Sequence, residues 1–345
     1  MPEEIKDQAI RIPQNEQGRS FHLRLIEWVG QKLNWLFPVR PNETIIKRGL
    51  KTLKEAGETP DVILVCQPDF LAPSVSIPQW VVARTYPVSF RGYFGQLFQS
   101  SSSKWLHRLL SLWFWYRMDR KGYRLAHGVL AMSNALFDQL QKMKINACLV
   151  YPGVWNINPP GNFKVNEKLY LVTSALHLES KRKNVDWMIQ ALSFDQFHRQ
   201  NVNLTLIGKY SVAFEKDIRS RLHFDIEFTG FLCRNQAMGK FLEADIFVFT
   251  SLQENWGYVL IEAMAHGCAV FAPDQYPFTE IVGRTDYLFS AGNMNDFSKK
   301  LNQILADKGR LTEDKQWFFN RYVQLFSGAA FGRSLMNAII TKTTF

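Results

Sequence analysis

Glu254-Asn255-Trp256-Gly257-Tyr258-Val259-Leu260-Ile261-Glu262-Ala263-Met264-Ala265-His266-Gly267 is the stretch whose reading decides the fold. Two carboxylates stand eight residues apart around a glycine, at the start of a predicted helix. Val259, Leu260, Ala263 and Met264 recur at helical spacing, and Gly267 offers a left-handed stop. Just upstream, residues 244–251 form a short apolar run ending in Thr250 and Ser251, the pattern of a buried parallel strand. Downstream, residues 268–272 read as a second buried strand closed by Pro273. The order is therefore strand, loop, helix, strand. Units of this kind bind ligands at the C-terminal ends of the strands, where a helix N-terminus presents free N–H groups and a partial positive charge. Gly257 lets an anion approach that backbone closely.

With Glu254 on the loop and Glu262 one to two turns into the helix, the carboxylates stand roughly 10 Å apart at about 1.5 Å rise per residue. That span suits a ligand with a hydroxyl-rich group at each end and a diphosphate between, which is the layout of a nucleotide sugar. The segment resembles the E-x7-E signature of retaining glycosyltransferases with the GT-B fold, close to the family-4 group, also called glycosyl transferases group 1. The resemblance implies that Glu254 contacts the transferred sugar and that Glu262 holds the ribose hydroxyls. It gives the backbone amides of Asn255, Trp256, Gly257 and Tyr258 to the diphosphate. The plain alternative is an amphipathic helix with a surface glutamate at either end; the wider pattern, running on to Glu280-Ile281-Val282, favours the family.

The likeness continues upstream. Residues 169–174 read as a strand, and His177-Leu178-Glu179-Ser180-Lys181-Arg182-Lys183-Asn184-Val185-Asp186 leads into a helix carrying Trp187, Met188, Ile189, Ala191 and Leu192. This is similar to the family's R-x5-K segment, whose arginine and lysine neutralise the leaving diphosphate. Lys183 falls on the family lysine, so Lys183 and Glu254 are the expected catalytic residues. The family arginine falls on His177, which is neither permanently charged nor a five-donor fork. Either Lys181 or Arg182 compensates, or donor affinity is reduced; Lys181-Arg182-Lys183 also has the look of a solvated helix cap. His177 and Arg182 thus join the donor-binding set. Residues 204–208 form a strand ending in glycine, followed by residues 226–232. By the resemblance, backbone near the latter meets the nucleotide base, which makes Phe231 and Leu232 candidates for base contact or for core.

Composition fits this picture. The chain has 345 residues, 46% of them hydrophobic and 21% charged, enough for two soluble domains with separate cores. Cys66, Cys148, Cys233 and Cys268 are scattered without a C-x2-C pair, so neither a zinc site nor a disulfide framework is indicated. No stretch reaches the ~18 apolar residues of a membrane span. The acidic start, with Glu3, Glu4 and Asp7, is unlike a signal peptide. A cytoplasmic protein is expected, with peripheral attachment to the inner face of the membrane as a further expectation.

The expected architecture is α/β of the GT-B type, two Rossmann-like domains facing a cleft. Turn residues are dense at 155–168, where Asn156, Asn158, Pro159, Pro160, Gly161 and Asn162 mark a linker. Residues 1–155 then form the acceptor-side domain, 156–325 the nucleotide-sugar domain, and 326–345 a closing helix that by the resemblance crosses back to the first domain. Within the first domain, residues 127–134 resemble the family's last strand with its serine, and Tyr151-Pro152-Gly153-Val154 its P-x-G-V segment. Its beginning departs from the family. The usual opening strand with a Gly-rich loop is missing before residues 60–66, and the histidine expected after the next strand is replaced by arginine or tyrosine at Arg84 or Tyr86. The first domain is thus shortened or atypical at its N-terminus.

Charge is uneven. Residues 1–150 hold 20 Lys and Arg against 12 Asp and Glu, a net of +8 out of +10 for the whole chain. Residues 104–117 form a predicted aromatic helix, flanked by Arg120, Lys121 and Arg124, with Trp105, Leu109, Leu112, Trp113 and Tyr116 on one stripe. Residues 21–37 are a second basic aromatic stretch. Such helices either pack on the domain's sheet or lie in an anionic membrane surface, and Lys104 to Arg124 is the candidate membrane contact. No nucleic-acid-binding motif accompanies the basic residues.

The activity implied by the resemblance is retaining transfer of a sugar from a nucleotide-sugar donor to a glycan, lipid-linked or other acceptor. The donor is a substrate, so no cofactor is implied. No metal is implied either, and the chain has no D-x-D of the metal-dependent GT-A class. Loss of the opening Gly-rich loop, the histidine and the arginine leaves a second reading open: a catalytically degenerate GT-B protein acting as partner or scaffold for another glycosyltransferase.

Overall fold

The computed structural model describes residues 43–55, 57, 60, 62–65, 76–83, 122–193 apart from 156, 158 and 166, and 201–343 apart from 255. Both basic aromatic stretches, at 21–37 and 104–121, lie outside the described residues, as do Cys66 and residues 84–86. The chain divides into two compact units, Met1–Pro152 with Gly332–Phe345, and Gly153–Phe331. No helix among the described residues is long and apolar enough to cross a membrane.

In the first unit, helix α1 (Glu43–Glu55) precedes the short strands β1 (Ile63–Val65) and β2 (Gln79–Ala83), and β3 (Gly128–Ala131), α2 (Asn134–Lys142) and β4 (Ala147–Leu149) follow. The strands pair in parallel in sequence order. Val81, Ala83, Val129 and Ala131 bury their side chains against Leu136, Leu140 and Ile145. The serine that follows β3 caps a helix: Ser133 Oγ accepts from the Leu136 amide at 3.3 Å, satisfying one of the orphan donors of α2.

The second unit runs β5 (Leu169–His177), α3 (Val185–Leu192), β6 (Val202–Lys209), α4 (Val212–Arg221), β7 (Asp225–Gly230), α5 (Arg234–Glu243) and β8 (Ile246–Val248). It continues through α6 (Tyr258–Ala265), β9 (Ala269–Pro273), α7 (Phe278–Val282), β10 (Leu288–Phe289), α8 (Met294–Ala306), α9 (Lys308–Arg321) and α10 (Gly328–Thr343), the last running on past the unit's end at Phe331. All strand pairs are parallel, in the order β10-β9-β8-β5-β6-β7. Numbered from β5, the order reads 3-2-1-4-5-6 from the β7 edge, the doubly wound arrangement in which the chain reverses direction across the sheet after the third strand. The reversal puts β5 and β8 side by side, Leu171 beside Ile246 and Val172 beside Phe247.

The central strands read as near-continuous apolar runs because helices cover both faces. Leu171, Val172, Leu204, Leu206, Ile246, Phe247, Val248 and Val270 are all essentially inaccessible. An aromatic cluster fastens α3 and α8 to the β9–β10 edge: Trp187 stacks on Phe289 at 5.7 Å between ring centroids, and Phe271 meets Phe289 at 4.9 Å and Phe297 at 5.3 Å. Gly208 near the end of β6 has φ +145°, and a Cβ there would collide with the Ala175 carbonyl of β5. That glycine lets the two strands stay close where β5 bulges between Ser174 and His177.

At the N-terminal end of the central strands, Asp245 is almost wholly buried and serves several elements at once. Its Oδ1 lies 2.7 Å from Lys315 Nζ of α9, its Oδ2 accepts from the Tyr170 amide at 3.0 Å, and its carbonyl accepts from Ala269 at 2.9 Å. Lys315 is itself only 8% exposed. Removing one partner of such a pair strands a desolvated charge, at a cost of roughly 3–5 kcal/mol. Lys315→Met is therefore expected to lower the unfolding free energy by about that amount in urea titrations; a loss below about 1 kcal/mol would show that Asp245 does not depend on α9.

Candidate active site

Two loops leave the sheet at the strand-order reversal. The first, residues 178–184, connects β5 to α3; the second, residues 249–257, connects β8 to α6. Backbone and side chains lace them together. The Leu252 amide donates to the Arg182 carbonyl at 2.9 Å, and Thr250 Oγ1 reaches the Lys183 carbonyl at 3.1 Å. Gln275, beyond β9, pins the second loop from the other side, its amide donating to the carbonyl of Leu252 at 2.9 Å. Asn184 takes a left-handed conformation (φ 57°) that turns the first loop into α3.

The lacing sets the positions of three ionic side chains. Lys183 Nζ lies 2.5 Å from Glu254 Oε1, and Arg182 Nη1 lies 2.6 Å from the same oxygen while also donating to the Gln253 carbonyl at 3.0 Å. The Ser251 hydroxyl sits 3.0 Å from that oxygen as well. Glu254 and Lys183 are mostly enclosed, with 19% and 18% of their side chains exposed, and the lysine ammonium lies over the Phe249 ring. Two cations thus share one carboxylate, leaving a local excess of one positive charge. Burial pushes the Glu254 carboxyl upward, yet the hydrogen bond and charge of Lys183, the Ser251 hydroxyl and the Arg182 charge together outweigh it, so the group ends below its ordinary value.

Helix α6 starts beside this cluster. Its N-cap is Gly257, at φ 93° and ψ 46°, and no side chain caps it. A left-handed N-cap without an Asp, Ser or Thr leaves the first-turn amides to be met by something other than a capping side chain. Trp256 is 2% exposed, with its ring 6.4 Å from that of Phe326, which leaves its side chain in the core. Tyr258, by contrast, is 46% exposed. Asn255 lies outside the described residues.

Glu262, the fifth residue of α6, is paired with Arg234 at the start of α5, Nη2 to Oε1 at 3.0 Å. Its carbonyl accepts from His266 Nδ1 at 2.7 Å. Burial holds the His266 imidazole below its ordinary value, and the hydrogen bond to the Glu262 carbonyl only partly offsets this. Phe231, just beyond β7, is exposed rather than in the core, and Lys209 lies over its ring at 5.6 Å from the centroid; Leu232 is half-buried. His177 is exposed at the end of β5, in register with Lys209, and Lys181 is exposed on the loop. Of the two residues offered to replace the missing arginine, only Arg182 is held against Glu254. Arg234 and Gln275 carried no sequence signal, because each acts on a residue at least 23 positions away in the chain.

Residues 167–307 match the model of the family described as glycosyl transferases group 1. The serotype-specific mannosyltransferase WbdA of Escherichia coli is 26% identical over 149 residues, covering 41% of this chain and 18% of that protein. The sulfoquinovosyl transferase SQD2 of Arabidopsis thaliana is 33% identical over 86 residues, 24% of this chain and 17% of that protein. The matched regions thus span less than a fifth of either curated relative. Among solved structures, the sucrose-phosphate synthase of Thermosynechococcus elongatus superposes with a TM-score of 0.61 at 16% identity, covering 91% of this chain and 79% of that one. The α/β fold with parallel sheets is that of the GT-B glycosyltransferases.

The lowered Glu254 carboxyl has a pH signature. The folded protein holds the ionised form more tightly than the unfolded chain does, so the stabilisation is complete above the ordinary value of 4.5 and is lost as pH falls through the lower folded value. The gap in unfolding free energy between the protein and Glu254→Gln is expected to be constant above about pH 6 and to shrink toward about pH 3. A gap that stays level through that acid range would contradict the ion-pair geometry.

Proposed function

We propose that this chain, which carries a glycosyl transferases group 1 domain in a GT-B fold, is a retaining glycosyltransferase that uses a nucleotide-sugar donor. One observation carries the reading. Lys183, Arg182 and Glu254 converge at the reversal of strand order, next to a helix start that no side chain caps. A diphosphate is the ligand such a place suits: two cations and the start of α6 can face it, and a net charge of about −2 to −3 on the leaving nucleoside diphosphate competes for both cations with the single charge of Glu254.

The chemistry follows from that competition. As the anomeric C–O bond of the donor lengthens, the electron pair departs with the diphosphate and the sugar acquires oxocarbenium character. Lys183 and Arg182 meet the growing phosphate charge, with the α6 amides behind them. Released from part of its cation load, Glu254 accepts from hydroxyls of the transferred sugar. The acceptor hydroxyl attacks from the face the diphosphate is leaving, forming the new C–O bond with retained configuration, and its proton passes to a phosphate oxygen. The cationic side chains supply the charge that a divalent ion provides in other transferases, which supports a metal-independent reaction. Glu262 holds the ribose hydroxyls, and Phe231 stands near the base. The acceptor is read as a glycan or a lipid-linked glycan.

Purified protein should bind one of uridine, guanosine or adenosine diphosphate, seen as a rise in melting temperature, and should hydrolyse or transfer from the matching sugar nucleotide. Lys183→Ala is expected to lower kcat by about 10²–10³-fold, the effect of removing one transition-state charge partner. Glu262→Ala should chiefly raise the donor KM. Wild-type turnover in both variants would remove the assignment. Nucleotide binding without turnover by the intact chain would favour the scaffold reading.

A further inference from the structure

We infer that Arg234 is a positioning residue that sets the Glu262 carboxylate for a ribose cis-diol and so contributes to selection of a ribonucleotide donor. The inference rests on the proposed role of Glu262 and adds a residue to it. Both backbones involved are held in place. At the start of α5 the Cys233 amide donates to Gln236 Oε1 at 3.1 Å, closing the first turn around Arg234. On α6, His266 grips the Glu262 carbonyl at 2.7 Å and meets the Phe241 ring of α5 edge-on at 6.4 Å between centroids. Only the side chain of Glu262, with three rotatable bonds and 21% exposure, is left to be oriented.

Arg234 performs that orientation. Its Nη2 lies 3.0 Å from Glu262 Oε1, and a guanidinium is a planar donor that fixes a carboxylate's direction better than a point charge does. A carboxylate offers about four acceptor positions, so one arginine contact still leaves Oε2 and the second lone pair of Oε1 for two adjacent hydroxyls. With Glu262 already in one rotamer, the ligand does not have to order it on binding. Arg234 is itself 54% exposed, so its contribution is that of a solvent-screened pair and is correspondingly modest.

The test is calorimetric titration at fixed ionic strength with uridine, guanosine and adenosine diphosphates and their 2′,3′-dideoxy counterparts. For the base that binds best, Arg234→Ala should weaken the ribonucleotide about three- to tenfold and leave the dideoxy compound within about twofold, so that discrimination between them falls. Arg234→Lys should recover part of the loss, and Asn235→Ala, an exposed neighbour on the same turn, should change neither. Combined with Glu262→Ala, the Arg234 effect should vanish, as expected when one residue acts through another. Equal weakening of both compounds by Arg234→Ala, no weakening, or tighter binding overturns the inference. If Glu262→Ala abolishes discrimination while Arg234→Ala does not touch it, the inference alone falls. If Glu262→Ala leaves ribonucleotide affinity intact, or no diphosphate binds the intact chain, the ribose reading falls and the Arg234 inference with it.

Discussion

The pairing of β5 with β8 brings together Lys183 and Glu254, which are 71 positions apart in the chain. In a doubly wound sheet the connections before the reversal run over one face and those after it over the other, so the two loops leave neighbouring strands toward opposite faces. Here hydrogen bonds from Leu252 and Thr250 to the first loop hold them together around charged side chains. The same pairing is maintained at the N-terminal end of these strands by Asp245, which hydrogen-bonds the Tyr170 backbone just inside β5, takes the Ala269 amide at the start of β9, and draws in Lys315 from α9. A buried ion pair is weak evidence of net stability, because desolvation offsets much of the attraction. Its effect in this unit is geometric, since no apolar residue could satisfy the Tyr170 amide and the α9 ammonium together.

Electrostatics at the other end are arranged around an incomplete neutralisation. Glu254 serves as counterion for both Lys183 and Arg182, and α6 begins with a left-handed glycine in place of a capping side chain. Each feature is mildly unfavourable for a stable isolated domain and favourable for an incoming polyanion, a trade expected where local rules of helix capping and charge balance are broken at a functional place. Of Lys181 and Arg182, Arg182 is the one placed against Glu254. Arg182 follows the turn that passes through Ser180, and its guanidinium reaches the carboxylate that Lys183 already holds.

Much of this was legible in the residues. Strand runs such as Ile246–Val248 and Ala269–Pro273 announce themselves because parallel strands covered on both faces are apolar on both. The α6 start was readable from a glycine ahead of an apolar run, and Glu254 and Glu262 from their spacing about it. Trp256 was assigned through its main-chain amide, and its ring is buried near Phe326. Phe231 was open between base contact and core, and its exposure beside Lys209 favours contact. Arg234, Gln275 and the Asp245–Lys315 pair were invisible, since nothing local distinguishes an arginine that will meet a glutamate 28 positions on from one that faces water.

Local patterning determined the identity of the elements in the second unit, the helix start at Gly257 and the charged residue types beside it, because burial periodicity and backbone permissiveness are properties of short segments. Tertiary structure alone decided which charges meet. The strand order 3-2-1-4-5-6 depends on how six strands share one sheet, and it chose Arg182 over Lys181 as the second cation and Arg234 as the partner of Glu262. Coulomb attraction and hydrogen bonding act over a few ångströms of space, irrespective of distance along the chain, so these partnerships come into being only once the sheet has formed.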